Sequence, residues 1–260
     1  MSDPLVIVGI LWAVLAVALV LVWVIRRRSG PVDTGPTAAF VGSAMGLLLS
    51  LVLFFALGHR SAAQSAAQAE ATAYTTLFSS MAPLPGDVSD PPQHATVCVM
   101  RSIVSDEWPA MQDGDLSGAP ATQQAISGLY AAIEAMPRTS PAVESWFPTI
   151  WSSMIDRAGA RDARLAQGEP QLPLAIWITL YIGVFIVVML VGLGEKLRSR
   201  GAWIGVGAAL VVIVTLLVGA SAVLDQPYGP LAPIEPDAMR NSLSVVEANQ
   251  PPGSPVIAPC

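Results

Sequence analysis

Four long apolar runs dominate the chain, at residues 5 to 25, 37 to 58, 172 to 194 and 202 to 224. Each holds about 20 residues or more, which at about 1.5 Å of helical rise per residue crosses a hydrocarbon core of about 30 Å. The pattern predicts an all-α membrane protein with four transmembrane helices in two hairpins, residues 1 to 58 and 172 to 224. Between them, residues 59 to 171 place apolar positions at helical spacing without strand alternation, and so predict an inserted all-α extramembrane domain. An Ala-rich stretch carries the second run on to Ser80 as one helix, and a second helix opens at Pro91-Pro92 and is stopped by Pro109 and the Asp113-Gly114 turn. Two more cover 122 to 136 and 141 to 166, the latter accommodating Pro148 only near its first turns or at a break. Residues 225 to 260 read as a Pro-rich tail, with a short amphipathic helix over 234 to 246 and a disordered end past Asn249.

Positive charge clusters in the short loops, as Arg26, Arg27 and Arg28 in the first and Lys196, Arg198 and Arg200 in the second. Basic residues beside span ends are retained on the cytoplasmic side, which predicts an extracytoplasmic N-terminus, central domain and C-terminus. Met1-Ser2-Asp3-Pro4 is acidic and the arginines follow the first run, so that run reads as an uncleaved anchor and not as a signal peptide. One lysine among thirteen basic residues, with abundant Ala, Val and Gly, suggests a bacterial cytoplasmic membrane as the location.

The 53% hydrophobic and 12% charged composition, with a net charge of -6, excludes a nucleic-acid partner. Two cysteines, Cys98 and Cys260, make no framework, and the residues favour two unpaired thiols over a bridge. His59 and His94 lack a second ligand pattern, and no nucleophile-and-base, phosphate-loop or paired-cysteine motif occurs. The expectation is therefore no enzyme, no cofactor, no metal and no small-molecule substrate.

The spans hold no ionisable side chain, which argues against a proton- or sodium-coupled transporter. Their polar residues, Ser43, Ser50, Thr179, Tyr181, Thr215 and Ser221, are expected to bond to the preceding turn of their own helix. Gly42 with Gly46, and Gly201 with Gly205, match the small-residue spacing of close helix packing, within a subunit or between subunits. Outside the spans, Arg157, Arg161 and Arg164 fall on one helix face, and Glu70, Asp106 and Glu107 are their expected partners. Asp225 is expected to cap a helix or to pair with Arg60 or Arg164.

Several short motifs in order carry a family resemblance. They are Leu53-Phe54-Phe55-Ala56-Leu57, Glu70-Ala71, Asp106-Glu107-Trp108-Pro109, Arg161-Asp162-Ala163-Arg164-Leu165, Leu172-Pro173-Leu174-Ala175-Ile176-Trp177 and Leu224-Asp225-Gln226-Pro227-Tyr228. Over about residues 37 to 245 the chain resembles the bestrophin-like bacterial membrane proteins. The resemblance implies a four-span subunit distantly similar to bestrophin anion channels, which are pentamers with a hydrophobic neck on the second span. By position, Phe54 and Phe55 would be the neck residues. It also implies a cytoplasmic central domain, opposite to the charge reading.

Two functional readings follow. The absence of a polar site at mid-membrane favours a non-enzymatic scaffold or accessory subunit acting through its helical domain. The resemblance implies the alternative, a homo-oligomeric ion channel. Either reading has the lipid bilayer as partner, together with further copies of the chain or another membrane protein.

Overall fold

The computed structural model describes residues 4–30, 32–115, 117, 119–194 and 200–260, without the side chains of Arg200 and residues 202–204. Lys196 and Arg198 of the second loop lie outside the described residues. The helices are α1 (Pro4–Ser29), α2 (Gly35–Ser80), α3 (Gly86–Ser102), α4 (Trp108–Gln112), α5 (Pro120–Glu134), α6 (Pro141–Ala166), α7 (Leu174–Leu193), α8 (Arg200–Leu224) and α9 (Asp237–Ala248). A π-helical turn, Ile103–Glu107, joins α3 to α4, and Pro255–Ile257 forms a 3-10 turn. The described residues contain no β-strand, only one isolated bridge between Val32 and Gly194. Four of the helices are long and apolar enough to cross a membrane, and the chain is a multi-pass membrane protein.

The chain divides into two compact units, Met1–Arg60 with Pro170–Gln226, and Ser61–Glu169 with Pro227–Cys260. In the first unit, Leu11, Leu15 and Ala18 of α1 are buried with Leu49 and Val52 of α2, Leu180, Val184 and Val188 of α7, and Val218 of α8. The short loop joins α1 to α2, yet α1 packs most extensively on α7 and α8. Glycine permits the close approaches, but at positions the small-residue spacing did not single out. A Cβ on Gly192 would stand 2.8 Å from both Val22 methyls, and one on Gly183 would overlap the Met45 sulfur. At Gly42, Gly46, Gly201 and Gly205 a Cβ would meet nothing within 4 Å, so these four make no close approach inside the subunit.

Groups from other elements of this unit meet the carbonyl end of α7 and the residues that lead into its start. The last carbonyls of a helix have no partner within it. Here the first loop reaches them: Thr34 Oγ1 donates to Leu190 O at 2.7 Å, Val32 N to Leu193 O at 3.0 Å, and Arg26 Nη1 to Gly192 O at 3.1 Å. The arginine adds charge where the helix dipole favours a cation. At the other end, Asp225 Oδ1 accepts from Gln171 N at 3.0 Å and Leu172 N at 3.1 Å. Asp225 thus holds the two residues that lead into α7, and its Oδ1 lies 3.9 Å from His59 Nδ1. Among the span hydroxyls, Ser43, Ser50, Thr179 and Ser221 bond to the carbonyl four residues back as expected. Tyr181 instead donates across to Ile7 O at 3.1 Å.

In the second unit, one face of α2 (Ala63, Ala67, Ala71, Tyr74 and Leu77) is buried against Met100, Ile103 and Trp108, Leu129 and Ile133 of α5, and Ile150 and Met154 of α6. Three proline expectations change here. The α3 helix starts at Gly86, ahead of Pro91-Pro92, and α6 runs unbroken through Pro148. Pro109 does not end the second helix either. Proline cannot donate to a helical ladder, and the preceding turn widens so that Trp108 N bonds to Ile103 O, five residues back.

The tail differs most from expectation. Residues 227 to 260 belong to this unit, and the segment past Asn249 is ordered. Cys98 and Cys260 are joined in a disulfide, where unpaired thiols were expected. Val256 is buried with Phe78, Val97 and Val246, and Arg101 Nη1 and Nη2 donate to Ala258 O at 2.7 Å and Ile257 O at 3.1 Å. Proline richness disfavours a helix, but a covalent tie and one buried valine order the segment without one.

Substituting Gly192→Ala should lower stability by about 1–3 kcal/mol, because the stiff Val22 cannot yield, whereas Gly9→Ala, where a Cβ would meet nothing within 4 Å, should not lower the melting temperature in detergent.

Candidate functional site

The arginine face of α6 reaches the interior of the second unit. Arg164 is fully buried between two fully buried carboxylates, with Nε paired to Glu70 of α2 and Nη2 to Glu107 at the end of the π-turn. Arg161, one turn earlier, takes the other Glu107 oxygen at 2.5 Å. Its Nε also donates to that oxygen at 3.1 Å. The π-turn explains how Glu107 arrives there. One extra residue per turn rotates all that follows by about 100°, aiming Glu107 and Trp108 inward together.

Aromatic rings close the cluster. The Arg164 guanidinium lies 4.8 Å from the Trp108 ring centroid, Trp108 Nε1 donates to Ile234 O at 2.7 Å, and Tyr228 packs edge-on to Trp108 at 5.6 Å. Tyr228 Oη donates to Ala63 O at 3.2 Å, and burial pushes its phenol up to about 12. Arg157 behaves differently from its neighbours on the stripe. It is buried, but in place of an acid it meets Tyr74 Oη at 3.3 Å and Tyr130 Oη at 3.4 Å, with its guanidinium 5.6 Å from each ring. Attraction to two ring faces substitutes for a carboxylate there.

Of the expected polar network, the structure therefore brings together Glu70, Glu107, Arg161 and Arg164. Asp106 turns away from the arginines and accepts from Ser102 Oγ at 3.1 Å and Ser105 Oγ at 2.6 Å. Arg60 and Asp225 belong to the first unit. Four participants were not singled out for this role, Tyr74, Tyr130, Trp108 and Tyr228. For Tyr74, Trp108 and Tyr130 the signal was present only as aromatic positions at buried helical spacing, and Tyr228 lies in the turn after α8.

Two exposed stretches of α2 complete the picture. In the first unit, Phe40, Leu47, Leu51 and Phe54 recur at three-, four- and seven-residue spacing and are 50% to 76% exposed, and Phe55 is 55% exposed with its ring 6.2 Å from that of Phe54. In the second unit, the exposed positions at the same spacing are Ser61, Ser65, Gln68, Thr72 and Thr76. These residues carry hydroxyls and an amide but no charge. Ser65, Gln68, Thr72 and Thr76, with Ser153 and Asp156 of α6, line an open groove of about 580 Å³. No group of three or more metal-ligating side chains occurs among the described residues.

Arg164→Met should destabilise the protein by roughly 3–5 kcal/mol, because Glu70 and Glu107 would remain buried without a cation between them. A fall in melting temperature and a stronger urea sensitivity would report it. A second expectation concerns pH. Burial pushes the Asp225 carboxyl up to about 6, against the lowering pull of the Gln171 and Leu172 amides. A carboxyl raised in this way takes up a proton on folding. Its contribution to stability is complete below the ordinary carboxylate range and is lost as pH rises through about 6. Melting temperatures between about pH 4 and 7 should fall more steeply for the native protein than for Asp225→Asn, which keeps the acceptor and cannot titrate.

Comparison with known proteins agrees with this architecture. The family model described as a bestrophin-like domain matches residues 8–239. Among solved structures, a bacterial bestrophin homologue from Klebsiella pneumoniae superposes with a TM-score of 0.69 at 13% identity, covering 96% of this chain and 100% of the other. A singly substituted form of the Klebsiella homologue gives 0.69 at 12% identity, covering 95% and 99%. A structure described only as a membrane protein, also singly substituted, gives 0.69 at 12% identity over 96% and 100%. No curated protein matches in sequence. At these identities the superpositions establish a shared fold, and the family match covers most of the chain. The chain belongs to the bestrophin-like family.

Proposed function

We propose that the protein is the subunit of a homo-oligomeric ion channel in which α2 lines the conducting path. Phe54 and Phe55 form its narrow hydrophobic neck. The observation that carries this reading is the change of character along the exposed positions of α2, from large apolar side chains at 40 to 55 to small uncharged polar ones at 61 to 76. A constriction that gates by expelling water needs the first, and a hydrated approach to it needs the second. Membership of the bestrophin-like family favours this reading over the scaffold role. Gly42 and Gly46, whose Cα faces meet nothing inside the subunit, are available for contact between subunits.

The four spans form two hairpins with their short loops in the cytoplasm and the second unit outside. Two independent features support this orientation. Arg26, Arg27 and Arg28 mark the first loop as cytoplasmic. The Cys98 to Cys260 disulfide suits an oxidising compartment, where such bonds persist.

Purified protein in planar bilayers should conduct, and Phe54→Ala with Phe55→Ala should raise the unitary conductance. Silence across varied ions and voltages would oppose the channel reading. For orientation, Ser117→Cys should react with a membrane-impermeant maleimide on intact cells. Reaction only after permeabilisation would invert the topology.

A further inference from the structure

The disulfide is placed where it can be opened and where its opening has a mechanical effect. Cys260 is exposed, Cys98 of α3 is half-buried, and 162 positions separate them. Apart from the bridge, the segment past Asn249 is held by polar contacts to Arg101 and His94 of α3 and by one buried side chain. The Arg101 bonds to Ile257 O and Ala258 O are part-exposed, and Val256 is its single buried hydrophobic side chain. That is a small return against the conformational entropy of ordering the segment. Beneath Val256 lie Phe78 of α2, Val97 of α3 and Val246 of α9, which the segment covers.

One side chain joins the bridge to the tail. His94 stands one turn before Cys98, with Nε2 3.5 Å from Cys98 Sγ and Nδ1 3.2 Å from Val256 O. With Nδ1–H donating to that carbonyl, Nε2 is left as a base facing the sulfur.

We infer that Cys98, Cys260 and His94 form a thiol–disulfide exchange site that latches residues 250 to 260 over the Phe78, Val97 and Val246 patch. Its substrate is an accessible dithiol. A dithiol thiolate attacks Cys260 Sγ, the exposed sulfur, forming a mixed disulfide as the bond to Cys98 breaks. The electron pair leaves on Cys98 Sγ, which takes a proton from the His94 imidazolium formed when Nε2 accepted the proton of the attacking dithiol thiol. The second thiolate of the reductant then attacks its own sulfur in the mixed disulfide, closing a cyclic disulfide and releasing Cys260, which is protonated by water. The bridge gains two electrons and two protons, and the dithiol is oxidised. In the reverse direction, Nε2 removes the Cys98 thiol proton and generates the attacking thiolate.

Hydrogen exchange on the full-length protein in detergent micelles tests the latch, with dithiothreitol as the dithiol and mass-tagged maleimide to count thiols. The oxidised protein should show no reactive thiol. After reduction two thiols should label, and amides over residues 255 to 258 should exchange about tenfold faster or more, while α5 stays unchanged. Cys260→Ser should reproduce the fast exchange without reductant. His94→Asn, which keeps a donor for Val256 O but has no base at Nε2, should slow re-formation of the bridge. Protection of 255 to 258 that persists with both thiols labelled would overturn the latch, as would a bridge that dithiothreitol cannot open. An unchanged closure rate in His94→Asn would overturn the role given to the imidazole.

Discussion

Arg164 sits at zero exposure between Glu70 and Glu107, and the second unit is arranged around that contact. A buried guanidinium is costly unless its charge and its donors are met, so the helices that supply the acids cannot shift independently. Glu70 fixes the rotation of α2 and Glu107 that of the turn before α4, while Arg164 fixes α6. Burial lowers the guanidinium's proton affinity, but the two carboxylates outweigh this and hold its pKa above the ordinary value. The chain is locally irregular at the same place. The π-turn that re-aims Glu107 also aims Trp108, which stacks on Arg164 and hydrogen-bonds the segment after Tyr228. This single cluster thus ties the polar half of α2 to residues 227 to 234.

How much of this was legible in the sequence depends on the range of the interaction concerned. The apolar runs and the unbroken Ala-rich stretch state helix length directly, and α2 and α6 follow their expected limits closely. The i, i+4, i+7 spacing of Arg157, Arg161 and Arg164 states a shared face, and the demand for counter-charges points to Glu70 and Glu107. It does not say which arginine takes phenols in place of acids, because Tyr74 and Tyr130 are 83 and 27 positions from Arg157. Pro109 marks an interruption, but a helix can stop or widen at a proline, and only packing chooses between them. The glycine spacing does not say which glycines serve contacts inside the subunit. Small residues permit close approach wherever they occur, and Gly183 and Gly192 are used because Met45 and Val22 stand opposite. The ordered tail depends on a bond closing over 162 positions, which composition cannot reveal.

The orientation proposed for this chain, with the second unit outside, rests on two features. Cationic short loops and a disulfide in the second unit agree with each other through unrelated physics, one from retention of charge during insertion and the other from redox compartment.

The central claim is that α2 lines a shared conducting path, and a cryo-EM map of the detergent-solubilised complex tests it most directly. The account predicts a closed ring with cyclic symmetry, α2 facing the axis, and Phe54 and Phe55 at the narrowest point. A monomer, or a ring in which those two side chains face lipid, would contradict it.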